Sequence, residues 1–253
     1  MNEWAIGLIT LVCVYAGALL GLGLQRLLPE HHLSSESKDA VKLVAGLLAT
    51  LSALVLALLI ASAKGSFDAV SNGLKQSAAK VVVIDRLLAE YGPEARDTRE
   101  QLKRHYAARV ARLFPQGRRD HDLGKFAPEA SAAEAFQSGL RTLMPVTDEQ
   151  RAILSRVHQL ADEVTLTRWL AFEEATGSTP PAFLAVLVSW LVMIFVIFGL
   201  CTPRNPTAYG ALFLGAVAVA TSIFLIEQMN RPLGGFIAIS SEPMRNALSV
   251  LGQ

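Results

Sequence analysis

Four stretches of about 20 residues, Ala5–Leu24, Leu43–Ala63, Ala182–Cys201 and Ala208–Ile226, contain no Asp, Glu, Lys, Arg or His. At 1.5 Å per residue each matches, as a helix, the roughly 30 Å hydrocarbon core of a bilayer. Lipid offers no water to unpaired backbone groups, so segments of this kind cross as helices or as strands of closed barrels. None of the four alternates apolar and polar residues, which selects helices. The composition agrees: 52% of the 253 residues are hydrophobic and the mean hydropathy is +0.38, more than a soluble core of this size requires. The first stretch carries Ala16-Gly17-Ala18, which has small-residue cleavage character, but Met1-Asn2-Glu3 ahead of it lacks the Lys or Arg of a signal peptide. It is expected to stay as a helix.

Four spans put both ends of the chain and its long middle segment on one side. That side has Lys64, Lys75, Lys80, Arg168, Arg231 and Arg245 near the span ends, against Arg26, Lys38, Lys42 and Arg204 on the other. The bias predicts a cytoplasmic middle segment and cytoplasmic termini. Trp4 and Tyr209 mark span ends, where amphipathic rings prefer the interface. Cys13 and Cys201 fall at different depths, so they read as packing residues, not a disulfide.

The expected fold is an all-α membrane protein with a helical cytoplasmic domain inserted between the second and third spans. Its segments are 1–64 (spans one and two), 65–179 (the helical domain), 180–230 (spans three and four) and 231–253 (a tail with a short amphipathic helix). Past the second span, Phe67, Val70, Leu74, Ala78, Val81, Leu88 and Tyr91 keep a helical spacing, so the span continues as a stalk. Gly92-Pro93 ends it, and Pro93 suits the first turn of a helix through Arg112 with Leu102, Tyr106, Val110 and Leu113 inward. A turn-rich stretch, Pro115–Pro128, follows. Ser131 with Glu134, and Thr147 with Gln150, have capping-box spacing. The helix opened by Thr147 should run to about Ala175 with Leu154, Val157, Ala161, Val164 and Ala171 on one stripe. In the tail, Ser241-Glu242-Pro243 opens a helix whose face of Met244, Ala247, Leu248 and Leu251 fits the bundle, a neighbouring subunit or the membrane surface.

Several features could carry function. Ala45, Ala49, Ala53, Ala57 and Ala61 recur every fourth residue in the second span. Such a ridge lets another backbone approach; ordinary helix packing explains it, and so does a subunit or pore interface with Leu54 and Leu58 in an apolar constriction that gates by dewetting. Uncharged spans argue against ion-coupled transport and leave a channel open. Glu227, Asn230 and Arg231 lie where the fourth span meets the cytoplasm, as an interfacial anchor or as a cytoplasmic mouth, with Glu227 and Arg231 at a helical i, i+4 spacing. Arg96, Arg99, Lys103, Arg104, Arg109, Arg112, Arg118 and Arg119 outnumber Glu94, Asp97 and Glu100. They read as a solvated face, or as an attractor of anionic lipid or anions. His31-His32, His105, His121 and His158 have no companions at ligand spacing, so no metal site is expected. No nucleotide-binding, hydrolase or kinase signature appears. No catalytic residue, cofactor or nucleic-acid partner is expected, and the reading is not that of an enzyme.

Glu227-Gln228-Met229-Asn230-Arg231-Pro232-Leu233-Gly234-Gly235, followed by Ile239-Ser240-Ser241-Glu242-Pro243-Met244-Arg245-Asn246-Ala247-Leu248, resembles the hallmark of a bacterial membrane-protein family grouped as bestrophin-like. Ala61–Asp68, Ile84-Asp85-Arg86, Tyr91–Ala95 and Thr167-Arg168-Trp169 are also similar, so the resemblance spans nearly the whole chain. It implies a pentameric ion channel in a bacterial inner membrane, with lipid and inorganic ions as partners and the second span around the pore. The second span lacks the proline and phenylalanines of the bestrophin neck, and Glu242 alone does not make an acidic calcium clasp, so calcium gating gains no support. A non-conducting membrane scaffold or sensor presenting the helical domain to a partner is the competing expectation.

Overall fold

A computed structural model describes residues 3–27, 35–115, 130–177, 181–234 and 236–253. The chain forms α1 (Glu3–Leu24), α2 (Ser35–Tyr91), a 3-10 turn (Pro93–Ala95), α3 (Arg96–Leu113), α4 (Ala130–Arg141), α5 (Asp148–Thr176), α6 (Pro181–Cys201), α7 (Pro206–Met229) and α8 (Glu242–Val250). Among the described residues there is no strand. The fold is all-α, and α1, α2, α6 and α7 are each long and apolar enough to cross a membrane. His31, His32, His121, Arg118, Arg119 and the turn-rich stretch from Gln116 lie outside the described residues, as do the side chains of Ser131 and Glu134.

The chain divides into two compact units, Met1–Gly65 with Ser178–Asn230, and Ser66–Gly177 with Arg231–Gln253. We refer to them as the membrane unit and the helical unit. Helix α2, 57 residues long, contributes its first part to one and its second part to the other. At about 85 Å it far exceeds a bilayer, because the apolar periodicity continues past the span, through Gly65 and Gly73, until Gly92-Pro93.

In the membrane unit, Val14 and Ala18 of α1, Leu59 and Ala63 of α2, Leu187, Leu191 and Phe195 of α6, and Ala216, Ile223 and Ile226 of α7 form one buried cluster. The closest approach is between α1 and α6. A Cβ on Gly21 would lie 2.0 Å from the Val196 carbonyl oxygen, and one on Gly199 would lie 2.1 Å from the Ala18 oxygen. Only hydrogen fits there, so backbone meets backbone, the packing that small residues allow between helices in lipid. Helices α1 and α6 run parallel. Helix α7 runs antiparallel to α1, since Trp4 stacks near Phe224 (4.7 Å) and Tyr15 meets Phe213 edge-on (5.4 Å). At the far end, Arg204 Nη2 donates to the Leu22 carbonyl (3.0 Å), satisfying one of the orphan acceptors where α1 stops. The Asn205 side chain accepts from Ala208 N (2.8 Å) and caps α7.

Among its described residues, the helical unit has no such backbone contact to rely on in its core and is held by buried large side chains. Val70, Leu74, Ala78, Val81, Ile84, Leu88 and Tyr91 of α2 pack with Leu102, Tyr106, Val110 and Leu113 of α3, Phe136 and Leu140 of α4, and Val157, Ala161 and Val164 of α5. The stripes expected on α2, α3 and α5 are the faces that go inside. Thr147 and Gln150 form a reciprocal capping box: Thr147 Oγ1 accepts from Gln150 N (3.1 Å), and Gln150 Oε1 accepts from Thr147 N (3.4 Å). Gly92 adopts φ +129°, a backbone state that side chains disfavour, and releases the chain from α2 into the 3-10 turn. Pro93 therefore opens that turn, and α3 proper begins at Arg96.

The tail belongs to the helical unit, which settles the three-way choice that the amphipathic face of α8 left open. Met244, Ala247 and Leu251 join its core. A polar node fixes the end of the tail: Arg99 grips Asp85 through two hydrogen bonds of 2.9 Å. Asp85 Oδ2 also accepts from Gly252 N (3.1 Å), and the Gln253 carbonyl accepts from Arg86 (3.0 Å) and Arg99 (3.1 Å). Asp85 is 1% exposed. Burial disfavours its charge, but the Arg99 hydrogen bond, the Gly252 N–H and the charges of Arg99 and Arg86 outweigh that and hold the carboxyl below its ordinary range.

Candidate functional site: the uncovered face of the second span

The four spans are unequally covered by their own chain. Within the most apolar window of each, 33% of residues are buried in α1, 28% in α6 and 28% in α7, but only 17% in α2. A row of its leucines points away from the rest of the chain: Leu43, Leu47, Leu54 and Leu58 are 77%, 62%, 64% and 70% exposed. Ser52 is buried within the same span, and its hydroxyl finds no partner among the described residues.

The alanine ridge does not keep to one face. Ala45 is fully buried, Ala49 half-buried, and Ala53, Ala57 and Ala61 exposed. A four-residue step overshoots a 3.6-residue turn by about 40°, so five alanines drift by roughly 160° around the helix. The upper ridge faces inward, and the lower ridge shares the outer face with Leu54 and Leu58.

Glu227, Asn230 and Arg231 are each half-buried, and each engages in a polar or electrostatic interaction. Glu227 lies in the last turn of α7, which ends at Met229. Asn230 is its C-cap, donating N–H to the Ile226 carbonyl (3.0 Å). Arg231 directly follows the cap.

Reading the basic set as one solvated face is only partly right. Arg96, Lys103 and Arg104 are exposed, Arg99 is tied to Asp85, and Arg109 is buried. Periodicity carries the difference: Arg109 falls one turn beyond Tyr106 and next to Val110, on the inward stripe of α3. The Gly17-x-x-x-Gly21 spacing is a known signal for close helix contact and marks one face of α1 in the sequence; the structure sets that face against Val192 and Val196 of α6. Among the described residues, no three His, Cys, Asp or Glu side chains converge as a metal site would need.

A family model described as a Bestrophin-like domain matches residues 12–244. Among solved structures, a variant of a bacterial bestrophin homologue from Klebsiella pneumoniae superimposes with a TM-score of 0.70 at 14% identity, covering 97% of this chain and 99% of that one. A second variant of the homologue gives 0.71 at 14% identity, covering 100% and 99%. A further crystal structure described as a membrane protein gives 0.69 at 12% identity, covering 98% and 99%. Identities this low speak to the fold. No curated protein matches the chain. With 233 of 253 residues inside the matched range, counted from 12 to 244, this membrane protein belongs to the bestrophin-like family.

Proposed function

We propose that the protein is a homo-oligomeric ion channel in which the span of α2 surrounds an apolar pore. The carrying observation is that α2, a span as apolar as its neighbours, is the one its own chain covers least, at 17%. Lipid covers such a face adequately, but a second copy does so as well, and the ridge of Ala53, Ala57 and Ala61 beside Leu54 and Leu58 offers both close approach and an apolar constriction. The absence of ionisable residues in the four apolar stretches fits a barrier made by dewetting. The resemblance to bestrophins implies five copies around the axis, and charge bias supports a cytoplasmic helical unit with both termini on that side. Glu227, Asn230 and Arg231 then stand at the cytoplasmic mouth.

Recording from the purified full chain in planar bilayers tests this reading. Unitary currents are expected, and Leu54→Ser or Leu58→Ser should enlarge the time-averaged current by wetting the constriction. Silence from a well-folded oligomer across ions and voltages would overturn it. The scaffold reading would then stand, favoured by Leu166, Trp169 and Leu170 of α5, an apolar i, i+3, i+4 stripe exposed at 60%, 46% and 61%.

A further inference from the structure

Inside the helical unit, α2, α3, α4 and α5 line a partly open cavity of about 70 Å³. One water needs roughly 10–15 Å³ on that measure, so the space admits something larger than a single water. Its lining mixes apolar side chains, Val81, Ile84, Leu102, Phe136 and Val164 among them, with the polar His105, Tyr106, Arg109, Gln137, Thr165 and Arg168. These polar groups offer donors in excess of acceptors. Arg109 is 9% exposed and Tyr106 is 2% exposed. Tyr106 Oη and His105 Nδ1 are shut off from solvent and have no hydrogen-bond partner among the described residues. Arg168 Nε reaches Ser77 Oγ at 3.4 Å, a long contact. The groups acting on Arg109 are Arg168, Arg112 and Tyr106, and the one acting on Arg168 is Tyr106; no described carboxylate is among them.

Burial, then the charges of Arg168 and Arg112, push Arg109 down to about 9, so it remains a cation at neutral pH. Burial pushes the Tyr106 phenol up to about 12, so it remains an O–H donor. A buried cation is tolerated when paired, and like charges brought together in a poorly solvated space are costly. Planar guanidinium forks and a phenol O–H match an oxyanion, whose oxygens accept from all of them. We propose that this cavity binds a compact oxyanion of the phosphate or sulfate class, held by Arg109 and Arg168 with Tyr106 Oη as a further donor. The same chemistry fits free inorganic phosphate and the phosphate at the end of a larger molecule such as a lipid headgroup. The proposal is independent of whether the protein conducts.

Equilibrium dialysis of the full chain in neutral detergent against radiolabelled inorganic phosphate, with chloride holding ionic strength constant, is the test. Saturable binding near one phosphate per chain is expected, displaced by sulfate and not by chloride. Arg109→Met should weaken it about 100-fold, as loss of a buried charged partner does. Tyr106→Phe, which keeps the ring and its packing, should weaken it about tenfold and serves as the readout if the arginine variant fails to fold. Phosphate should raise the melting midpoint of the parent chain and not that of Arg109→Met. Protein in phosphatidic-acid nanodiscs distinguishes the sources: loss of phosphate binding there, relative to neutral discs, identifies a headgroup as occupant of the same site. Absence of saturable binding at millimolar phosphate together with no effect of the anionic lipid would overturn the proposal. So would binding that Arg109→Met and Tyr106→Phe leave unchanged.

Discussion

The membrane unit makes its tightest contacts through glycine and leaves many of its leucines outside, whereas the helical unit is held by large side chains gathered into a core. In the first, Gly21 and Gly199 sit at the tightest contacts while Leu20, Leu43, Leu58 and Leu214 are exposed. In the second, Ile84, Leu88 and Leu140 are fully buried and charge lies outside, apart from Asp85, Arg99 and the arginines of the cavity. One helix, α2, obeys both rules in succession. The difference teaches what each solvent rewards. Water drives apolar side chains together, while lipid tails are as apolar as leucine, leaving close backbone packing as the source of cohesion.

The sharpest way to break this contrast is to add atoms where the membrane unit has no room. Gly21→Val places carbon within the Val196 carbonyl and should cost about 3 kcal/mol or more, seen as loss of a monodisperse folded chain in detergent. Gly46→Ala, on a helix face with nothing within 4 Å, is the control and should be neutral or slightly stabilising.

The buried ion pair gives an effect of similar size from the opposite unit. Asp85→Asn strands Arg99 and loosens the tail, and should destabilise the helical unit by about 3–5 kcal/mol in denaturant unfolding. Because the folded carboxyl is held below its unfolded value, its contribution is complete above the ordinary carboxylate range and disappears as pH falls through the depressed folded value. The parent should therefore lose stability in acid more steeply than Asp85→Asn. An equal slope would show that the node does not bind its proton as described.

Two leucines of α2 test the contrast within a single element. Leu88→Ala should cost about 2–5 kcal/mol, since the side chain is 0% exposed in a packed core. Leu54→Ala should change the stability of the isolated chain by less than about 0.5 kcal/mol, as it touches little of its own chain. If Leu54→Ala instead dissociates an oligomer in light scattering, a neighbouring copy covers that face. Among the destabilising changes in the helical unit the mildest is Thr147→Ala, about 1 kcal/mol from the lost cap of α5, measurable by thermal unfolding.

Spans, stalk, helix faces and the Thr147 cap were legible because each is written in local pattern. Length in apolar residues, a 3.6-residue period and a hydroxyl three residues from an amide act within one or two turns of helix. So the long α2, its turn at Gly92 and the inward stripes of α3 and α5 could be read directly. The tail helix was legible as a helix, but its docking was not, because Asp85 and Gly252 are 167 residues apart and nothing in either segment names the other.

The alanine ridge shows where pattern misleads. Its regular spacing stood out, yet a four-residue repeat cannot hold one face of a 3.6-residue helix, and the structure spreads it from buried Ala45 to exposed Ala61. Arg109 shows the converse: counted among basic residues it read as surface, though its phase with Tyr106 and Val110 placed it inward. By itself the sequence determined which segments meet lipid, which faces turn inward and where helices begin and end, since these depend on short-range chemistry. Tertiary structure alone decided that α1 and α6 touch through backbone, that the tail closes on Asp85 and Arg99, and that two arginines share one cavity. Those are relations between distant segments, and the free energy that selects them comes from the fit of whole surfaces.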